Sequence, residues 1–134
     1  MASCLCTCSL CPALPSSRLY RTMASITPNV TFDTIAREWR CKWSPDADKA
    51  SLVAAQEVLL KHEAKIKATA GVKKVQRIVC GGCQDFKVIV ALDAGAYGAW
   101  KDGGHSPEEE FLADLGKIAG IAQVETQTYT IMDV

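Results

Sequence analysis

The stretch that decides the fold is VKKVQRIVCGGCQDFKVIVAL, which runs from Val72 to Leu92. It is rich in β-branched side chains and is divided by the pair Gly81 and Gly82. A period of two is set by Val75, Arg77 and Val79 before the pair, and by Phe86, Val88 and Val90 after it. This period is typical of half-buried strands, and two glycines supply the positive φ angles of a tight hairpin turn. The stretch therefore predicts two antiparallel strands joined by a short turn.

A strand and a helix are predicted before this hairpin. Residues 35–43 alternate, and the apolar face of that strand carries Ile35, Trp39, Cys41 and Trp43. Arg37 falls on the same face, where its charge has to reach solvent or find a partner. Residues 48–69 place apolar side chains on one stripe at helical spacing, and Gly71 follows as the C-terminal cap.

A helix and a strand are also predicted after the hairpin. A short helical turn over residues 93–100 carries Tyr97 and Trp100. The next helix begins at Ser106 with a capping box that is completed three residues later. Residues 122–132 are typical of a last strand, because valine, isoleucine and tyrosine alternate there with threonines.

The resulting order is β-α-β-β-α-β, which is that of an α+β ferredoxin-like fold. We expect a four-stranded antiparallel sheet with both helices on one face. The other face carries apolar and aromatic side chains that a single chain would leave uncovered. A second copy would cover them, so the pattern predicts a homodimer or higher oligomer.

Length and composition exclude several classes of protein. The 134 residues suffice for one domain, and 49% apolar and 22% charged residues are typical of a globular chain. The 15 basic and 15 acidic residues cancel, which argues against a general nucleic-acid-binding protein. No apolar run approaches the roughly 20 residues of a transmembrane helix, so no membrane partner is expected.

The first 30 residues differ from the rest and are predicted to be a leader, which leaves residues 31–134 as the domain. The first carboxylate is Asp33, and four of the seven cysteines are Cys4, Cys6, Cys8 and Cys11. This composition favours a transit peptide for a plastid or mitochondrion; without one, the protein is expected in the cytoplasm. The cysteine spacing is a weak match to a metal site, because zinc ligands normally come from two separated segments.

The motif Cys80-Gly81-Gly82-Cys83 is the sharpest local feature. Three interpretations stay open: two small residues beside a tight turn, a redox pair that closes a disulfide across the hairpin, or half of a metal site. The pair flanks a turn and not a helix N-terminus, so no helix dipole lowers the pKa of either thiol. No catalytic residue, metal site or cofactor is predicted from the sequence.

The two histidines and a run of three glutamates are interpreted as parts of the fold and not as functional residues. His62 lies at the flank of the first helix's apolar stripe, and His105 is expected to be a solvated loop residue. Glu108, Glu109 and Glu110 fit the first turn of the second helix, where carboxylates interact favourably with the helix dipole.

Three segments resemble the ligand-sensing and oligomerisation (RAM) domain of the Lrp/AsnC family of amino-acid-responsive regulators. They are GVKKVQRI from Gly71, GCQDFKVIV from Gly82 and GIAQVET from Gly120. The resemblance implies a stand-alone, homo-oligomeric module that binds an amino-acid-like ligand through Gly82, Asp85 and Arg77. Residues 1–34 cannot form the family's helix-turn-helix, so direct DNA binding is not expected.

The element order also resembles the dimeric α+β barrel proteins, which include stress-responsive barrel domains and small antibiotic-biosynthesis-type monooxygenases. This alternative implies a ligand pocket between helices and sheet. Its lining would be Trp39, Trp43, Tyr97 and Trp100. An enzyme would also need an enclosed polar group in that pocket, for which Arg37 and His62 are the candidates.

Overall fold

The computed structural model describes residues 23–134 of the chain. Its strands are β1 (Ala24–Thr27), β2 (Val30–Phe32), β3 (Thr34–Lys42), β4 (Val72–Cys80), β5 (Asp85–Asp93) and β6 (Ala122–Ile131). Its helices are α1 (Asp46–Lys67), α2 (Ala94–Asp102) and α3 (Glu108–Gly116). The four cysteines of the N-terminal cluster, Cys4 to Cys11, lie outside the described residues.

The main sheet has four antiparallel strands in the order β4-β5-β3-β6. The helices connect β3 to β4 and β5 to β6, so the predicted α+β ferredoxin-like fold is confirmed. Strands β1 and β2 form a separate antiparallel hairpin. This hairpin includes residues that the composition assigns to a leader, whereas residues 1–22 of that leader lie outside the described range.

The core lies between the helices and one face of the sheet. Its largest fully buried side chains include Trp39 from β3, Phe86 from β5 and Phe111 from α3. Burying side chains of this size stabilises a fold by about 1.5–3 kcal/mol each, which makes this layer the main source of stability. Arg37 belongs to the same row of β3 as Trp39, as the sequence predicts.

The other face of the sheet carries a smaller apolar patch. Ala36, Ile89 and Ala91 are buried there, and Tyr129 and Ile131 pack against them. We call these five residues the open-face patch. Helices α1, α2 and α3 do not cover it, because all of them pack on the opposite face.

Glu38 is buried at the centre of this open face. Its Oε1 accepts a hydrogen bond from the Tyr129 hydroxyl at 2.9 Å, and burial together with this carboxylate raises the pKa of Tyr129 to about 12. Its Oε2 lies 3.4 Å from Nη1 of Arg40, within ion-pair range but without hydrogen-bond geometry.

The two helix starts differ from the sequence prediction. The first helix begins at Asp46, and Ala47, Asp48 and Lys49 have φ angles of 56°, 58° and 62°. Such left-handed geometry is uncommon for residues other than glycine, so regular helix follows only after this turn.

The predicted capping box at Ser106 is wrong. The first backbone bond of α3 runs from the Phe111 N–H to the carbonyl of Pro107, so Pro107 is the N-cap. Proline has no side-chain acceptor, and the cap is made without a side-chain hydrogen bond. Among the helices of residues 23–134, none is long and apolar enough to span a membrane.

Candidate active site

Arg37 and Glu108 form an ion pair between the sheet and α3. Nε of Arg37 lies 2.7 Å from Oε1 of Glu108, and its Nη2 lies 3.2 Å from Oε2. The same guanidinium donates to the hydroxyls of Thr128 at 2.7 Å and Thr126 at 3.0 Å, both on β6. The sequence leaves two outcomes open for Arg37, contact with solvent or with a partner, and the structure shows the partner. These four hydrogen bonds connect the guanidinium of Arg37 to α3 and to the edge strand β6.

Trp39 completes the environment of Glu108. Its indole N–H donates to Oε1 of Glu108 at 2.7 Å. Burial favours the neutral acid, but the hydrogen bonds from Arg37 and Trp39 outweigh it and hold the pKa of Glu108 below its usual value. The hydrogen bond to Glu108 in turn raises the pKa of Arg37. Both groups are therefore charged at neutral pH, inside the apolar layer.

His105 turns inward from the loop between α2 and α3. Its backbone has a φ of 56°, and its N–H donates to the Trp100 carbonyl at 2.9 Å. The imidazole Nε2 lies 2.9 Å from the Tyr97 hydroxyl, and Nδ1 lies 3.8 Å from Oε1 of Glu108. Only 12% of the side chain is exposed, so the expectation of a solvated loop residue is wrong. The reason is aromatic packing, because the ring lies edge-on to Trp100 with centroids 5.0 Å apart.

Burial and the nearby Arg37 charge lower the pKa of His105. The imidazole is therefore neutral at neutral pH, and the tautomer with its proton on Nδ1 would place that proton towards Glu108. Nε2 is then left as an acceptor for the Tyr97 hydroxyl. A neutral, partly enclosed imidazole beside a phenol is suited to accepting a proton.

Tyr97 links the histidine back to the arginine. Its hydroxyl also lies 3.0 Å from Oγ1 of Thr128, which accepts from Arg37. Arg37, Tyr97, His105 and Glu108 thus form one connected group, which we call the polar cluster. It joins β3, α2, the following loop and α3, so four separate parts of the chain position it.

Aromatic rings surround the polar cluster on the core side. Trp39 lies 4.9 Å from Phe111 and 6.3 Å from Trp100 between ring centroids, and Tyr97 lies 6.0 Å from Trp100. The structure therefore brings together three of the four predicted pocket residues. Trp43 is apart from them: its indole donates to the Asp85 carbonyl at 3.2 Å, at the hairpin end of the sheet.

The second predicted polar candidate, His62, has a different partner. It is buried on α1, and its Nε2 lies 2.8 Å from Oδ2 of Asp114 on α3. Lys61 lies 3.0 Å from the same oxygen. The hydrogen bonds from His62 and Lys61 lower the pKa of Asp114. This contact joins two helices and accounts for His62 without a role in binding.

The ligand residues predicted from the hairpin do not join the polar cluster. Asp85 pairs with Lys42 at 2.6 Å, and this contact lowers the pKa of Asp85. Gly82 lies in the turn between β4 and β5. Arg77 donates to Oε1 of Gln56 at 2.8 Å, across a groove between α1 and β4. The structure thus places the predicted ligand residues in three separate regions. Gly82 and Asp85 lie at the hairpin, Arg77 lies at the groove beside α1, and Tyr97 and Trp100 lie at the polar cluster.

The groove beside Arg77 holds a cavity of about 430 Å³. Its lining is mainly apolar and includes Leu52, Val53, Val79 and Phe86. This volume is in the range of small-molecule pockets. Within the described residues, no group of three or more cysteine, histidine, aspartate or glutamate side chains could hold a metal ion.

Sequence reasoning missed His105 and Glu108 as members of a site. The need for an acid could be inferred, because an arginine on an apolar face requires one, but nothing in the sequence identifies Glu108 as that acid. For His105, the neighbouring glycines and serine are typical of an exposed loop, so the local sequence does not predict its inward orientation.

The comparisons with known proteins show the fold. No protein-family model matches the chain, and no curated protein matches it significantly in sequence. Solved structures do match. One is a monooxygenase from the gene ActVA-Orf6 of Streptomyces coelicolor in complex with nanaomycin D, with a TM-score of 0.57 and 13% identity over 77% of this chain and 90% of that one.

Two further structures are similar. A protein from Caulobacter crescentus, assigned as an antibiotic biosynthesis monooxygenase, has a TM-score of 0.55 and 19% identity over 76% of this chain and 92% of its own. A variant of SnoaB, a cofactor-independent oxygenase from Streptomyces nogalater, has a TM-score of 0.52 and 13% identity over 76% and 96%. The chain therefore shares the α+β fold of these monooxygenase-like proteins. The Lrp/AsnC prediction receives no support from these comparisons, whereas the alternative, a dimeric α+β barrel, does.

Proposed function

We propose that this protein is a small enzyme of the dimeric α+β barrel type, whose polar cluster removes a proton from an electron-rich aromatic substrate. The observation that carries the proposal is the contact of 2.9 Å between the neutral His105 imidazole and the Tyr97 hydroxyl, beside the Arg37–Glu108 pair. The shifted pKa values of His105, Glu108 and Arg37 within one partly buried group support the proposal, because such shifts cluster at functional sites.

The proton transfer follows from the order of the groups. A phenol bound at the β6 edge would give its proton to the Tyr97 oxygen while the Tyr97 proton moves to Nε2 of His105. Glu108 would stabilise the imidazolium through Nδ1, and Arg37 would stabilise the phenolate. General-base catalysis of this kind contributes about 10²–10⁴-fold to a rate.

Access to this base is from the β6 side. The side chains of Arg37 and Glu108 are 17% and 16% exposed, and Thr126 and Thr128 are exposed next to them. A substrate oxygen could replace the threonine hydroxyls on the guanidinium without breaking the ion pair. Trp39 and Trp100 are buried beneath the polar cluster, so a flat substrate would lie outside them, against β6.

We extend one reaction class, oxidation of the substrate by dioxygen, to this protein from the oxygenases among the similar structures. A phenolate or enolate is a much better electron donor than its neutral parent, so deprotonation alone prepares such a substrate to react with dioxygen. The absence of a cofactor, expected from the sequence, stays a prediction. An amino-acid ligand at the hairpin is disfavoured, because Asp85 is already neutralised by Lys42.

We also propose that the protein works as a homodimer. The open-face patch would meet its copy across a two-fold axis, and the buried carboxylate Oε2 of Glu38 would gain a donor from the partner. Partly apolar sheet faces of this kind are commonly covered by a second layer. The helices and the polar cluster would then lie on the outside of the pair.

A screen of ligands tests the proposal with the full-length protein. Polycyclic hydroquinones, simple phenols and the twenty amino acids would be compared by thermal shift and by oxygen consumption. We expect stabilisation and oxygen consumption with one or more hydroquinones. Stabilisation by amino acids alone, with no oxygen consumption, would show the protein to be a sensor instead.

A further inference from the structure

The turn between β4 and β5 holds two thiols outside the polar cluster. Cys80 is the last residue of β4, and Cys83 lies in the four-residue loop that follows. The backbone N–H of Cys83 donates to the Cys80 sulfur at 3.0 Å. The thiols of Cys80 and Cys83 also interact with each other, so the two sulfurs lie close together.

The loop is held in this shape by the neighbouring strand. The backbone N–H of Trp43 donates to the Gln84 carbonyl at 3.0 Å, and Nζ of Lys42 donates to the Cys83 carbonyl at 3.0 Å. Lys42 also pairs with Asp85, the first residue of β5. All three contacts hold the Cys83–Asp85 side of the loop, and the bond from the Cys83 N–H to the Cys80 sulfur connects that side to the end of β4.

The two thiols differ in their surroundings. Hydrogen bonds from the thiol and backbone of Cys83 lower the pKa of Cys80, and the same contact with Cys80 raises the pKa of Cys83. Both residues are accessible, whereas Cys41 is buried and its pKa is raised to about 11. A thiolate on Cys80 is therefore reached first as the pH rises, and its neighbour retains a proton.

We propose that Cys80 and Cys83 form a peroxide-reactive dithiol, in which Cys80 attacks, Cys83 resolves, and a reversible disulfide closes across the hairpin turn. This site is independent of the proposed oxygenase activity. Of the three interpretations that the sequence leaves open, it selects the redox pair.

The chemistry balances with a hydroperoxide as the oxidant. The Cys80 thiolate attacks the terminal oxygen, the O–O bond breaks, and the alcohol or water leaves with a proton. The resulting sulfenic acid on Cys80 is attacked by the Cys83 sulfur, its S–O bond breaks, and water leaves. Two electrons pass from the dithiol to the peroxide. A small dithiol reductant returns both sulfurs to thiols.

Peptide mapping tests the disulfide in the full-length protein. Trypsin releases the peptide from Ile78 to Lys87, which contains Cys80 and Cys83 and no other cysteine. After treatment with hydrogen peroxide, we expect this peptide to lose two hydrogens, and dithiothreitol should restore them. Cys41 is the internal control and should stay unmodified while the protein is folded. A peptide joined to other cysteines, or oxidised only to sulfinic acid, would overturn the proposal.

Two single variants test the assignment of roles. In Cys83→Ser, a dimedone-type probe should trap a sulfenic acid on Cys80. In Cys80→Ser, the same treatment should trap several-fold less sulfenic acid on Cys83, because the backbone N–H that donates to the Cys80 sulfur has no counterpart at the Cys83 sulfur. Equal labelling in the two variants would contradict the assignment. Circular dichroism of both variants verifies the fold, and both residues are accessible enough for serine to be tolerated.

Discussion

A guanidinium that faces the core of a small domain has to be neutralised, and Arg37 meets this requirement through Glu108 on α3. The need for such a partner could be predicted, because Arg37 shares the apolar face of β3 with Trp39. The identity of the partner could not, since the helix dipole explains Glu108 equally well. His105 was also unpredictable, because its orientation depends on the ring of Trp100 and not on neighbouring residues.

Removal of one charge of the Arg37–Glu108 pair should destabilise the protein. Arg37→Met leaves the Glu108 carboxylate in the apolar layer with the Trp39 indole as its main donor. We expect a loss of about 2–3 kcal/mol in the free energy of unfolding, less than for a fully buried pair because both side chains keep an exposed edge. Urea unfolding measures it.

The double variant Arg37→Met with Glu108→Leu is the control for this prediction. It removes both charges, so its loss of stability should be smaller than the sum for the two single variants. Additive losses would show that the two side chains do not interact.

The pKa of His105 also makes stability depend on pH. It is lowered in the folded protein from an ordinary value of 6.5, so below pH 6.5 the unfolded chain binds a proton that the folded chain does not. Stability should therefore fall as the pH decreases from about 6.5 towards the lower folded pKa. In His105→Gln, this decrease in the free energy of unfolding with decreasing pH should disappear. An unchanged slope in urea titrations at several pH values would contradict the stated environment of His105.

At the scale of elements, the strands were easier to predict than the helix ends. The period of two and the Gly81-Gly82 turn define β4 and β5, and hairpin pairing is local. The start of α3 depends instead on the Phe111 bond to Pro107, which a capping motif cannot reveal. The hairpin of β1 and β2 was missed because it lies in a segment whose composition resembles a leader.

The contact between α1 and α3 has a buried and an exposed part, which allows a matched test. Asp114→Asn weakens the bonds to His62 and Lys61, and we expect a clear loss in the free energy of unfolding because the His62 imidazole is buried. Glu110→Gln removes an exposed pair with Lys65 between the same helices, and it should cost less than about 0.5 kcal/mol. Thermal or urea unfolding compares the two. Equal losses would contradict a special role for the buried contact.

At the scale of the whole molecule, the fold class followed from the element order, but its function did not. The ferredoxin-like order is shared by regulatory modules and small enzymes, because fold alone does not define a site. The polar cluster joins β3, α2, a loop and α3, which are distant in sequence. Such a site becomes visible only when these elements are packed together.

The open-face patch predicts self-association. Ile131→Lys places a charge at a partly buried position of this patch and should convert a dimer into a monomer with little change in secondary structure. Leu60→Lys, on an exposed position of α1, is the control and should leave the mass unchanged. Sedimentation velocity gives the masses. If the wild-type protein is a monomer at high concentration, the patch has another role.

Proton transfer by His105 is most directly tested by the oxygen consumption of wild-type protein and His105→Gln on one hydroquinone, at a pH where both are folded. The structure predicts a kcat about 10²–10⁴-fold lower in the variant, with KM changed much less, because the imidazole accepts a proton and does not hold the substrate. A variant that consumes oxygen as fast as the wild type would contradict the proposed base.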